Sequence, residues 1–105
     1  MSISRAIKLA ADTGKITLGY NSTVKSLKFK STKLVILASN CPKSLREDIE
    51  RYARISSVPV LHLDKTRLEL GPLCGKPFGV SVLGVIDPGE SNILNLSREA
   101  VEWEK

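Results

Sequence analysis

Leu34-Val35-Ile36-Leu37-Ala38 is an unbroken apolar run. A strand with one wet face alternates apolar and polar side chains, so a run without alternation reads as a central strand covered on both faces. The sequence on either side supplies the cover. Upstream, Val24 and Leu27 form the buried side of a short helix that dissolves in Lys30-Ser31-Thr32-Lys33, and Ile16 and Leu18 alternate with Lys15 and Thr17 as a preceding strand. Earlier still, Ile3, Ala6, Ile7 and Ala10 recur at helical spacing behind Ser2, and Asp12-Thr13-Gly14 stops that helix.

Downstream, Asn40-Cys41-Pro42 breaks the strand, and Ser44 with Glu47 reads as a capping box for a helix burying Leu45, Ile49, Tyr52 and Ala53. Val58 to Leu63 is a third strand. Thr66 with Glu69 repeats the box before Leu70 and Leu73, where Gly71-Pro72 predicts a short or broken helix. Val80 to Ile86 is a further buried strand, closed by the turn Asp87-Pro88-Gly89-Glu90. Helices alternating with short apolar strands predict an α/β fold: a three-layer α/β/α sandwich on a mixed sheet of about four strands. Residues 1–105 form one domain, with 97–105 an acidic tail, carrying Trp103, that adds a helical turn or frays.

No apolar run approaches the ~18 residues of a membrane span, and the N-terminus lacks a secretory pattern, so the expectation is a soluble intracellular protein. Net charge is +5, unevenly spread: residues 1–46 hold nine lysines and arginines against one acid, Asp12, and the remainder seven against ten acids. Such a basic half favours encounter with a polyanion. Cys41, Cys74 and the single histidine, His62, have no metal-ligand spacing, so neither a metal nor a cofactor is expected and both thiols read as free.

Enzyme motifs fail one by one. Cys41 follows a strand and precedes a helix, where a nucleophilic thiol could sit. The arginine that closes a phosphatase-type loop belongs where Glu47 stands, however, and Arg46 comes one position early. Gly71 to Pro77 is one residue too short for a nucleotide-binding P-loop, and Pro77 replaces the magnesium-holding hydroxyl. His62 reads as a partly buried strand residue. No small-molecule substrate is implied.

Three loops remain. Gly19 to Lys25 links the first strand to a helix whose leading N–H groups lack intrahelical partners, an anion-receptive place. Gly19 leaves room for a ligand, Asn21 offers donor and acceptor together, and Lys25 lies one turn on, on the same face. The same residues also read as an ordinary start, with Asn21 or Ser22 as cap and Lys25 in solvent. Asn40 to Lys43 follows the second strand. If Lys76 to Val80 enters its strand at the same edge, it adds Val80 and Phe78, whose ring stacks on an unpaired base or covers the sheet end. Donors, an aromatic and a lysine are how structured RNA is read.

Asp12-Thr13-Gly14-Lys15, Leu18-Gly19-Tyr20-Asn21-Ser22-Thr23-Val24-Lys25-Ser26-Leu27, Glu69-Leu70-Gly71 with Gly75-Lys76-Pro77-Phe78, and Asp87-Pro88-Gly89-Glu90-Ser91 resemble the L-thirty family of large-subunit ribosomal proteins of eukaryotes and archaea. The likeness runs from about Ala10 to Leu94, with several motifs in order. It sits within a superfamily of kink-turn RNA binders of α/β/α sandwich fold, whose Gly-x-Asn-Glu-x-x-Lys signature grips tandem sheared G·A pairs. Gly19, Asn21 and Lys25 match that signature, while Ser22 stands in the glutamate position, as in the L-thirty branch.

The resemblance implies a non-catalytic ribosomal protein that binds a kinked internal loop of large-subunit rRNA. Asn21, Ser22 and Lys25 would lie at the G·A step, Asn40 would add a hydrogen bond, and Leu18, Phe78 and Val80 would hold a flipped base. Lys28 and Lys30 would meet phosphate. Neighbouring ribosomal proteins are the other expected partners; the free chain is expected to be a monomer, and its place the cytoplasmic ribosome. A kink-turn adaptor of a guide-RNA particle and a small cysteine-dependent phosphate-handling enzyme are the alternatives.

Overall fold

A computed structural model of the chain describes residues 3–91 and residue 93. The expected acidic tail over 97–105, with Trp103, lies outside the described residues. The elements are α1 (Ile3–Thr13), β1 (Lys15–Leu18), α2 (Tyr20–Lys28), β2 (Leu34–Leu37), α3 (Lys43–Ile55), β3 (Val60–His62), α4 (Arg67–Leu73) and β4 (Val82–Asp87). The third and fourth strands are shorter at their starts than the apolar runs suggest. Pro59 cannot donate to a ladder, and Val80 is held outside the sheet by its N–H bond to the Arg67 carbonyl, 2.9 Å.

The apolar run behaves as its lack of alternation requires. Leu34, Val35, Ile36 and Leu37 are each 0% exposed. Leu34 and Ile36 pack with Ala6, Ile7, Ala10 and Leu70 of α1 and α4. Val35 and Leu37 point the other way, to Val24 and Leu27 of α2 and to Ile49 and Ala53 of α3. The period-two alternation of a strand thus sends successive side chains into two cores, and each burial contributes about 1.5–3 kcal/mol relative to exposure. This is the expected three-layer α/β/α sandwich.

The sheet order is β1-β4-β2-β3. β4 runs antiparallel to both β1 and β2, while β2 and β3 are parallel. β1, β2 and β3 therefore point one way and β4 the other. Their three C-terminal ends and the N-terminal end of β4 share one edge, called the rim below.

At the opposite edge, two of the sequence motifs clasp each other. The Thr13 hydroxyl donates to the Leu9 carbonyl (2.7 Å) and accepts from the Glu90 N–H (2.9 Å). Asp87 accepts from the Gly89 N–H at 2.9 Å, and the Ser91 hydroxyl donates to the Ala6 carbonyl at 2.6 Å. Asp12–Lys15 and Asp87–Ser91 are thus fold determinants that join the end of α1 to the end of β4.

The capping boxes divide. Ser44 and Glu47 form none: α3 begins at Lys43 behind Pro42, so Ser44 already lies inside the helix, and Glu47 meets Lys43 one turn back, 3.8 Å away. At α4 the Glu69 carboxylate does accept from the Thr66 N–H, 3.0 Å, and this bond holds its pKa below the usual carboxylate value. α4 is short, with Pro72 in its last turn, as Gly71-Pro72 predicts.

Candidate nucleic-acid interface

The rim is cross-braced by the backbone. The Gly19 N–H donates to the Val82 carbonyl (2.8 Å), the Ala38 N–H to the Ser81 carbonyl (2.9 Å), and the Ser39 N–H to the Lys65 carbonyl (2.8 Å). All four connections at this edge are thereby tied together. The loop before β4 does enter at the same edge as the loops after β1 and β2.

Gly19 has φ 89° and ψ 168°, a combination open to glycine alone, and it leads the chain from β1 straight into α2. A Cβ there would meet nothing within 4 Å, so the demand for glycine is conformational. α2 has no side-chain cap. Asn21 and Ser22 lie within its first turn, which removes their reading as caps. The first bond of the helix runs from the Thr23 N–H to the Gly19 carbonyl, 3.2 Å, so the N–H groups of Tyr20, Asn21 and Ser22 precede the ladder. Tyr20 is held by its own hydroxyl, which donates to Asp48 of α3 at 3.0 Å; that bond raises the phenol pKa.

Leu18, Gly19, Phe78 and Val80 line one hollow of about 380 Å³ together with Pro42 and Arg67. Phe78 is 55% exposed and available for stacking, whereas Val80 is buried and forms part of the floor. Asn40 sits beside this hollow with its side-chain oxygen accepting the Arg67 N–H at 2.8 Å. That bond uses the amide oxygen and not the NH2 group, so Asn40 braces α4 while keeping donors to offer.

Asn21, Lys25 and Lys28 line a neighbouring hollow along α2, and Ser22 shares a third with Lys25. Lys28 also lies 5.4 Å from the centre of the Tyr52 ring, which draws its ammonium toward α3. The expected set is thus brought to one edge, divided between a base-sized recess and α2, except for Lys28, which ends α2 away from the rim.

Arg67 was not anticipated. Its backbone joins Asn40 to Val80, and its side chain lies across the Gly79 backbone at the mouth of the hollow. Its signal was its place directly behind the Thr66 cap, as the first residue of a helix that begins at the end of a strand. That signal points to the rim only once the direction of β4 is known.

Cys41 is buried, and desolvation pushes its thiol pKa up against the lowering effect of Arg46, the reverse of what a nucleophile needs. His62 is about half exposed, more than its strand position suggested, with Nε2 3.5 Å from Glu50. Among the described residues no group of three or more His, Cys, Asp or Glu could hold a metal ion, and no helix is long and apolar enough to cross a membrane.

Cys74, buried at the end of α4, has its pKa pushed up by burial from 9.0 to about 11. The folded chain therefore keeps this proton to higher pH than the unfolded chain. Its contribution to stability is whole below the unfolded value of 9.0 and is lost as pH rises toward about 11. Urea midpoints should fall across that window, and iodoacetamide should label Cys41 and Cys74 far more slowly in the native chain than in urea. Rapid native labelling of Cys41 would restore the case for a reactive thiol.

Residues 1–95 match the family described as ribosomal protein L7Ae/L30e/S12e/Gadd45. The chain is 50% identical over 96 residues to large ribosomal subunit protein eL30 of Methanothermobacter thermautotrophicus, covering 91% of this chain and 98% of that one. It is 48% identical over 99 residues to the protein of the same name from Methanococcus vannielii, covering 94% of each. A solved structure, described as a protein with unknown function from Bacillus halodurans C, superposes with a TM-score of 0.79 over 96% of this chain and 94% of that chain, at 24% identity. At that identity the last likeness speaks to the fold alone.

Proposed function

This chain belongs to the ribosomal protein L7Ae/L30e/S12e/Gadd45 family, and from that premise we propose that it is a non-catalytic constituent of the large ribosomal subunit that binds a kink-turn of rRNA through its rim. In that role it works on cytoplasmic ribosomes, held by rRNA and by neighbouring ribosomal proteins.

The observation that carries this reading is the reversed β4, which sets the recess holding Phe78 beside the first turn of α2. A sharp RNA bend offers two things at once: unpaired bases thrown outward and a groove opened to side chains. Phe78 supplies a ring for a base, with Leu18 and Val80 as the apolar floor beneath it. The unladdered N–H groups of Tyr20, Asn21 and Ser22, with the helix dipole behind them, suit phosphate or an acceptor-rich base edge. Asn21 can donate and accept at a G·A pair, and Lys25 adds charge one turn further on. Ser22 puts no carboxylate at this step, which favours the L-thirty branch over a guide-RNA adaptor.

The test is a gel-shift comparing a kink-turn stem with a control whose G·A pairs are made Watson–Crick, each at several salt concentrations. The kinked stem should bind more tightly at every salt. Equal affinity for the two stems would refute kink recognition.

Lys25→Ala should weaken binding by on the order of 1 kcal/mol. It should also flatten the dependence of log affinity on log salt by about 0.7–0.9, the release of one counterion. An unchanged slope would remove the Lys25 ammonium from the phosphate contacts.

A further inference from the structure

Phe29 ends α2 as its C-cap and is 73% exposed. It is not loosely held: its N–H donates to the Lys25 carbonyl at 3.1 Å. The helix buries Thr23, Val24, Ser26 and Leu27, leaving Asn21, Ser22, Lys25, Lys28 and Phe29 on the outer side.

Two hollows on this face share Phe29 and Lys25. One, of about 520 Å³, is completed by Asn21, Val24 and Lys28. The other, of about 290 Å³, is lined with the hydroxyl residues Thr17, Ser22, Ser26 and Ser31. Phe29 is thus common to both hollows, one lined with Lys25 and Lys28 and the other with Lys25 and hydroxyl residues.

Charge decides what such a ring can receive. No acid occurs between Asp12 and Glu47, so nothing on α2 itself opposes a phosphate. The residues sharing the Phe29 hollows are cationic, amide or hydroxyl, apart from the buried Val24. That is a poor surface for an apolar protein contact and a good one for a base attached to phosphates. The face starts at the rim, and Asn21 to Phe29 spans about 12 Å of helix, the reach of a short run of nucleotides.

We propose that the outer face of α2 is a second RNA contact, in which an unpaired nucleotide leaving the bend stacks its base on Phe29 while Lys25 and Lys28 neutralise the adjoining phosphates. The Ser22 hydroxyl is placed to meet the ribose, whereas the Thr17 hydroxyl is taken up by Thr23 (3.1 Å) and the Gly84 carbonyl. This inference rests on the kink-turn reading and extends its footprint from the rim down the length of α2.

The experiment compares a blunt kink-turn stem with the same stem carrying a short single-stranded tail on either strand, with 2-aminopurine in the tail. Wild-type protein should bind one tailed stem on the order of tenfold more tightly than the blunt one and change the probe's fluorescence. Phe29→Ala should lose that gain and the fluorescence change while still binding the blunt kink, and Phe29→Trp should restore both. A tail that adds nothing for wild type, or adds as much for Phe29→Ala, overturns the inference and leaves the exposed ring to a protein neighbour. Kink discrimination without a tail gain overturns this inference alone, a tail gain without kink discrimination overturns the kink-turn reading alone, and loss of both overturns both.

Discussion

Gly71→Ala is expected to cost both stability and RNA affinity, although it adds a single methyl group. Gly71 is buried in α4, and a Cβ built there overlaps the carbonyl oxygen of Phe78. That oxygen is backbone, so no side-chain rotation relieves the clash, and the loop itself must move. Overpacking of this kind costs about 1–3 kcal/mol. For a domain of this length, each kcal/mol lowers Tm by roughly 4–8 °C. The loop is also tied to the same residue from its other side, because the Gly71 carbonyl accepts the N–H groups of Cys74 and Lys76, each at 3.0 Å. Displacing it carries Phe78 away from the hollow it shares with Leu18 and Gly19. Thermal unfolding and kink-turn binding, measured at a temperature where the variant is folded, should therefore fall together. An unchanged Tm would mean that the loop yields freely and that Gly71 does not set its path.

Phe78→Ala should separate the two effects. The ring is 55% exposed, so truncation removes little buried surface and should leave Tm nearly unchanged. A stacked base, in contrast, is worth about 1–3 kcal/mol, so affinity for the kinked stem should drop by roughly 5- to 150-fold. Isothermal titration paired with a urea melt reads both quantities. A loss of stability matching the loss of affinity would return Phe78 to the role of cover for the sheet end.

These two variants also mark where sequence reasoning reaches and where it stops. The layered architecture was legible in Leu34–Ala38, since an unbroken apolar run has only one stable setting, between two helix layers. The direction of β4 was not. Val82–Val85 is buried on both faces, and a run without alternation is the same read forward or backward. Only the pairing with β1 and β2 turns its start toward the rim and brings Phe78 beside Gly19.

Local patterns misled where a competing local contact won. Ser44 and Glu47 have the spacing of a capping box, but the helix starts behind Pro42 and Lys43 takes Glu47 as its partner. Arg67 and Phe29 were missed for a different reason. Arg67 begins a helix and Phe29 ends one in ways common to many chains, and the meaning of each lies in what stands near it: Asn40 and Gly79 for Arg67, and Ser22 and Ser31 for Phe29.

The resemblance carried two kinds of residue that the fold separates. Asp12–Lys15 and Asp87–Ser91 clasp the end away from the rim through Thr13 and Glu90. Gly19–Lys25 and Lys76–Phe78 belong to the rim itself. The motifs of the resemblance therefore report fold at one edge of this sheet and, on the reading proposed here, recognition at the other.

The most direct test follows backbone amide resonances of the full chain during titration with the kink-turn stem. The account expects shifts concentrated at Gly19–Lys25, Asn40, Arg67 and Phe78–Val80, with the clasp at Thr13 and Glu90 left unmoved. Shifts centred on the clasp, with the rim silent, would contradict it.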